Sequence, residues 1–171
     1  MISGVQMGVR EILKFPDKRL RKVAKPVEKF DDYLDVLIED MFETMYHSDG
    51  IGLAATQIDV HLRVIVIDIK NVEKLYLINP EITQSSGSME SKEGCLSVPY
   101  LIDYVPRSEN ISLKSYSLKG EPKLIEATGL LAVCIQHEID HLDGKLFVDY
   151  LSSLKRNRLR KKIEKDTILA S

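Results

Sequence analysis

Five residues, His137-Glu138-Ile139-Asp140-His141, sit inside a stretch that is otherwise apolar on nearly every side, and they constrain this chain more than any other feature. Residues 129–142 read as a helix, with Thr128 placed as N-cap and Gly144 placed for the C-terminal turn. A helix apolar all round has to be buried, so the rest of the chain must wrap around it. Residues four apart share a helical face, so both imidazoles can reach one metal ion. Glu138 lies about 100° around from His137, close enough to handle the proton of a water beside that ion without ligating. The alternative is a pair of histidines satisfied by hydrogen bonds alone, and burying them with a carboxylate is costly without a metal or partners.

Two histidines leave such a site short of a third protein ligand. The glycine of an extended HExxHxxG protease pattern is matched by Gly144, but Phe147 stands where the next ligand would fall. A downstream glutamate would have to be Glu164, inside a basic tail. Cys134 shares the helix face but lies seven residues from His141, about 10.5 Å along the axis, too far for one ion to collect all three. It reads instead as a small apolar residue packed beside the site. Cys95, in Glu93-Gly94-Cys95-Leu96-Ser97-Val98-Pro99, reads as part of a loop or bend and could approach the helix from outside. His47 and His61 read as surface residues near loop ends.

The remaining pattern suits a small α+β fold. Leu34, Leu37, Ile38, Met41 and Met45 recur at helical spacing over residues 31–47. Residues 63–69, 75–78, 111–116 and 123–127 are strand-like, with Asn79-Pro80 ending the second and Ser85-Ser86-Gly87 marking a turn. Strands and helices are segregated, which favours antiparallel sheets around the buried helix, followed by a C-terminal helix over 152–165. The 171 residues fit one domain, with residues 1–150 as core and 151–171 as a basic helix of the same domain. Seven basic residues against Glu164 and Asp166 give that tail +5, whereas residues 1–150 carry −7, an asymmetry that suits an anionic partner. The apolar run at 130–135 is too short to span a bilayer. The first eight residues lack the pattern of a secretory signal, and Met7 is a second candidate start. Two cysteines without CxxC spacing build no disulfide framework, so a reducing, cytoplasmic setting is expected.

A third element, Gly50-Ile51-Gly52-Leu53-Ala54-Ala55-Thr56-Gln57, lacks the Lys-Ser/Thr of a phosphate loop. Its small residues allow a ligand to approach the backbone, and Gln57 offers an amide donor. Together GIGLAATQ (50–57), EGCLSVP (93–99) and QHEIDHLDG (136–144) resemble, in order and spacing, the three signature motifs of bacterial-type peptide deformylases. The resemblance runs from residue 9, through PDKRL at 16–20, to Lys165.

That resemblance implies an α+β fold with antiparallel sheets around the histidine-bearing helix. It implies Cys95, His137 and His141 as metal ligands, Glu138 as general acid/base, and Gln57 with the Leu96 backbone N–H as donors to the substrate oxygen. Gly50, Ile51, Gly52, Gly94 and Val133 are the expected substrate-binding positions. Val133 would join Ile51 and Cys134 in an apolar pocket for methionine. The implied reaction removes the formyl group from the N-terminal formylmethionine of new polypeptides and releases formate. The implied ion is Fe²⁺, one per chain, with Zn²⁺, Ni²⁺ or Co²⁺ able to substitute. The tail resembles the helix through which bacterial members contact the ribosome, and a monomer is the default at this size. Tyr100 and Ile102 stand where many bacterial members carry an acidic residue and an arginine, at the rim of the substrate entrance. Glu93 and Arg107 are expected to pair and fix the cysteine segment. An HExxH metallopeptidase is the competing enzyme, and a metal-stabilised ribosome-binding module is the non-catalytic alternative.

Overall fold

The computed structural model describes residues 8–72 and 74–170. The readings of the amino terminus and of Met7 as a start fall on residues outside the described ones. Helix α1 spans Asp32–His47, followed by β1 (Gly52–Ala54), β2 (Val64–Ile67), β3 (Leu75–Ser86), β4 (Met89–Cys95), β5 (Val98–Arg107), β6 (Asn110–Tyr116) and β7 (Pro122–Thr128). Helices α2 (Gly129–Leu142) and α3 (Ser153–Ala170) complete the order. Five strands form one antiparallel sheet in the order β1-β2-β3-β6-β7, and β4 with β5 forms a separate antiparallel hairpin. No helix among the described residues is long and apolar enough to cross a membrane.

The sheet is wrapped on both faces, and β2 shows why. Its four residues are all buried. Alternation sends Val64 and Val66 toward Leu37, Met41 and Met45 of α1, while Ile65 and Ile67 pack with Ala132, Ile135 and Leu142 of α2. A third core joins Leu13, Phe15 and Leu20 to Val98 and Val105 of β5, to residues 146–148, and to Leu159 of α3. The histidine helix is therefore enclosed, as its composition requires.

Three local readings change. Thr128 does hold the N-cap position, but its hydroxyl makes no cap hydrogen bond, and Gly129, at φ +58°, makes the turn into α2. Asn79-Pro80 does not end β3, because the strand absorbs the pair as an irregularity, with Asn79 at φ +50° and its amide bonded to both polar groups of the Val27 backbone. Cys95 closes strand β4 rather than sitting in an irregular loop. Gly144 does occupy the turn after α2, at φ +73°, where a Cβ would lie 2.4 Å from the Arg21 carbonyl oxygen.

Candidate metal centre and catalytic cleft

The i, i+4 spacing on α2 brings the His137 and His141 rings to a centroid distance of 5.0 Å. The end of β4 delivers Cys95 to the same point, with its Sγ 3.2 Å from His141 Nε2. One ligand atom from each of Cys95, His137 and His141 lies within 4.8 Å of the others, a set suited to one ion. The surroundings fit that role. His137 Nδ1 donates to Glu93 Oε1 at 2.7 Å, which fixes the ring and leaves the other nitrogen toward the cluster. His141 Nδ1 and Glu138 Oε2 are buried without a hydrogen-bond partner. Burial also disfavours a charged imidazole at His141, holding it well below the usual histidine range in the neutral form that a metal requires.

Glu138 lies in the same enclosure, 4% exposed, and burial pushes its carboxyl up to about 7; His137 and Arg107 oppose that shift, while Glu93 and Asp140 add to it. A Cβ on Gly52 would come within 2.8 Å of both Glu138 Oε1 and Cys134 Sγ, so the β1 backbone passes directly over the carboxylate. Gln57, in the short helical turn Ala55–Ile58, accepts from the Ala54 N–H through Oε1 at 2.9 Å. Its Nε2 is thereby turned toward the site, donating to Ser97 Oγ at 3.1 Å and lying 3.8 Å from Cys95 Sγ. A cavity of about 720 Å³ opens from this centre, walled by Ile51, Leu96, Leu130, Val133 and Cys134, with Tyr100 and Ile102 at its mouth.

The structure thus gathers Cys95, His137, His141, Glu138, Gln57, Gly52 and Val133 around one cleft. Cys134 packs beside the ligands without joining them. Phe147 is a core residue 1% exposed and Glu164 sits exposed on α3, so neither protease-type completion is built. The Glu93–Arg107 pair is present, with both carboxylate oxygens held at 2.8 and 2.9 Å. The pair extends further than its motif suggests: Arg107 also donates to Asp140 at 2.7 Å, and Tyr150 donates to the same oxygen at 2.9 Å. Two further residues went unread. Ser97 is fully buried and receives Gln57, and Lys14 bonds the Leu96 carbonyl.

A helix-borne histidine pair, a thiol from a facing hairpin and a buried adjacent carboxyl define a metal-dependent hydrolase. Residues 9–157 match the family model of polypeptide deformylase. The chain is also similar to the solved peptide deformylase of Legionella pneumophila, at 53% identity and TM-score 0.89 over 95% of this chain and 98% of that one. The Ehrlichia chaffeensis peptide deformylase in complex with actinonin matches at 42% and 0.88, over 94% and 98%. That of Thermotoga maritima matches at 43% and 0.81, over 84% and 98%. The chain belongs to the polypeptide deformylase family.

Proposed function

We propose that this chain hydrolyses the formyl amide of N-terminal formylmethionine on nascent polypeptides, with Cys95, His137 and His141 holding the ion and Glu138 moving the protons. Removal of an N-formyl group is the reaction of the family, and the chain is an enzyme of that class. Bound to these donors, a divalent cation supplies Lewis acidity toward water and the formyl oxygen. Cys-His-His suits iron and zinc alike; Fe²⁺ is the ion we assign, with Zn²⁺, Ni²⁺ and Co²⁺ as substitutes.

The chain's own groups do the rest. Glu138, with its carboxyl near 7, takes the proton of the attacking water as the new C–O bond forms. It returns that proton to the nitrogen as the C–N bond breaks, so formate and a free amine leave. Gln57 Nε2 and the Leu96 N–H donate to the oxygen on which charge develops. The methionine side chain enters the apolar pocket at Val133. The peptide behind it lies extended between β1 at the edge of its sheet and β4 in its two-stranded hairpin, pairing through the backbone at Gly50, Ile51, Gly52 and Gly94.

Residues 1–150 act as the catalytic core. The segment 151–171 belongs to the same domain, since Leu159 is buried in the third core. Its basic residues Arg158, Arg160, Lys161, Lys162 and Lys165 face outward, which supports docking of a monomer on the RNA-rich surface of a ribosome in the cytoplasm.

The observation that carries the reading is the convergence of Glu138 on the Cys-His-His cluster. Formate release from formyl-Met-Ala-Ser by anaerobically prepared, Fe²⁺-loaded protein tests it. Wild type is expected to turn over, and Glu138→Ala to lose about 10³-fold or more with metal still bound. Metal-loaded wild type that releases no formate overturns the reading.

A further inference from the structure

Ligand Cys95 and the proposed donor Leu96 sit where the β4–β5 hairpin reverses, through a two-residue turn at 96–97. Leu and Ser are not residues that specify a hairpin turn. Both keep a negative φ, whereas the two-residue turns that match strand twist need a positive φ. The mismatch is taken up beyond the turn: residues 99–101 have no counterpart between Gly94 and Cys95, and Tyr100 is at φ +71°. Such a turn has to be held from outside.

Four ties do so. The Leu96 side chain seats so closely over Gly50 that a Cβ there would meet it at 2.6 Å. Gln57 Nε2 donates to the Ser97 hydroxyl, and the Phe15 N–H donates to the Ser97 carbonyl at 2.7 Å. The fourth is the Lys14 ammonium, which donates to the Leu96 carbonyl at 2.6 Å. The segment supplying two of these ties also bonds the other proposed donor, because the Leu13 N–H donates to the Gln57 carbonyl at 2.8 Å. Residues 13–15 therefore strap both proposed oxyanion donors to one strip of backbone; Leu13 and Phe15 pack in one core with Val98, and Lys14 adds a side-chain hydrogen bond to the turn itself.

We propose that Lys14 is a positioning residue: by holding the Leu96 carbonyl it fixes the backbone torsion at Leu96, so that the Leu96 N–H, on the preceding peptide unit, meets the developing oxyanion. The inference rests on the functional reading above. Because the clamp acts on a donor used only as charge develops, its loss is expected to lower kcat and leave KM nearly unchanged.

The test compares wild type with Lys14→Met and Lys14→Arg, each as Fe²⁺-loaded protein acting on formyl-Met-Ala-Ser. Lys14→Met is expected to lose about tenfold in kcat, with KM within about twofold and full metal content, and Lys14→Arg to recover most of the loss. In the Zn²⁺-loaded protein, Lys14→Met is expected to shift the amide cross-peaks of Leu96 and Ser97 while that of Ala132 stays in place. An unchanged kcat, a loss that follows metal content, an Arg variant no better than Met, or unmoved Leu96 and Ser97 peaks each overturn the proposal. Wild type inactive on this peptide would sink the functional reading instead, and the amide peaks would still decide the clamp.

Discussion

Gly52 and Glu138 face each other across the cleft so closely that one added methyl on Gly52 would stand 2.8 Å from the carboxylate oxygen. Gly52→Ala is therefore expected to push Glu138 off its position while leaving the three ligands free to bind. A shift of this size can cost about 10²-fold in turnover. Formate release measured beside metal content checks it; an alanine variant as fast as wild type would show that the cleft takes up the methyl without displacing the carboxylate.

Arg107 is 5% exposed and holds the two carboxylates Glu93 and Asp140, the first of which orients His137. Arg107→Ala leaves the buried Glu93 and the partly buried Asp140 without their cation. We expect metal affinity to fall about 10- to 100-fold, and stability to fall by about 3 kcal/mol or more. Competition with a chromophoric chelator measures the first, and urea unfolding the second. Normal affinity would show that His137 is oriented without this chain of contacts.

The turn after the histidine helix carries an acid-sensitive tie. Burial tends to raise the Asp149 carboxyl, but two hydrogen bonds from Arg21, at 2.6 and 2.9 Å, and one from the Leu146 N–H hold it below its ordinary 3.8. A carboxyl depressed in the folded state stabilises above its unfolded value, and that contribution disappears as pH falls through the folded value. Asp149→Asn is thus expected to be less stable than wild type by about 1 kcal/mol at neutral pH, the pair being partly solvated. The gap should close below the ordinary 3.8. Unfolding midpoints of the two proteins from neutral pH down to pH ~3 provide the comparison.

At the mouth of the cleft, Ile102 is 65% exposed and lies over Gly94, its Cγ1 3.6 Å from where a Cβ would be. With Tyr100 and Ile51 it offers apolar surface to the residue after methionine. Formyl-Met-Leu-Ser is expected to exceed formyl-Met-Asp-Ser in kcat/KM by about fivefold, the worth of a partly buried leucine. Ile102→Glu should abolish that preference. Equal rates on the two peptides in wild type would show that the side chain points to solvent.

Much of this was legible from periodicity. Leu34 to Met45 and the run around His137 each announce a helix by burying one kind of surface at 3.6-residue spacing, and Arg63 to Ile69 announces a strand by β-branching. The hairpin 89–107 escaped because the inward residues of β4 are polar, Ser91 and Glu93 being buried to face the site rather than an apolar core, and because Pro99 and Pro106 interrupt β5 around its buried Val98 and Val105. Cys95 could be matched to a ligand position by motif but not placed by pattern, since its approach to α2 depends on that hairpin. The strap through Lys14 left no trace in composition, being made of backbone groups and one exposed lysine that meet residues more than forty positions away.

Cys95 and His141 are separated by 46 residues, a stretch that contains β5, β6, β7 and most of α2. An ion shared between them is thus a cross-link as well as a reagent, closing that long loop as a disulfide would. By the same chain-entropy reasoning such a closure is worth about 4 kcal/mol against the unfolded chain. Loss of the ion would therefore free the hairpin from the histidine helix. The chemistry of the centre and the resistance of the fold to unfolding rise and fall together.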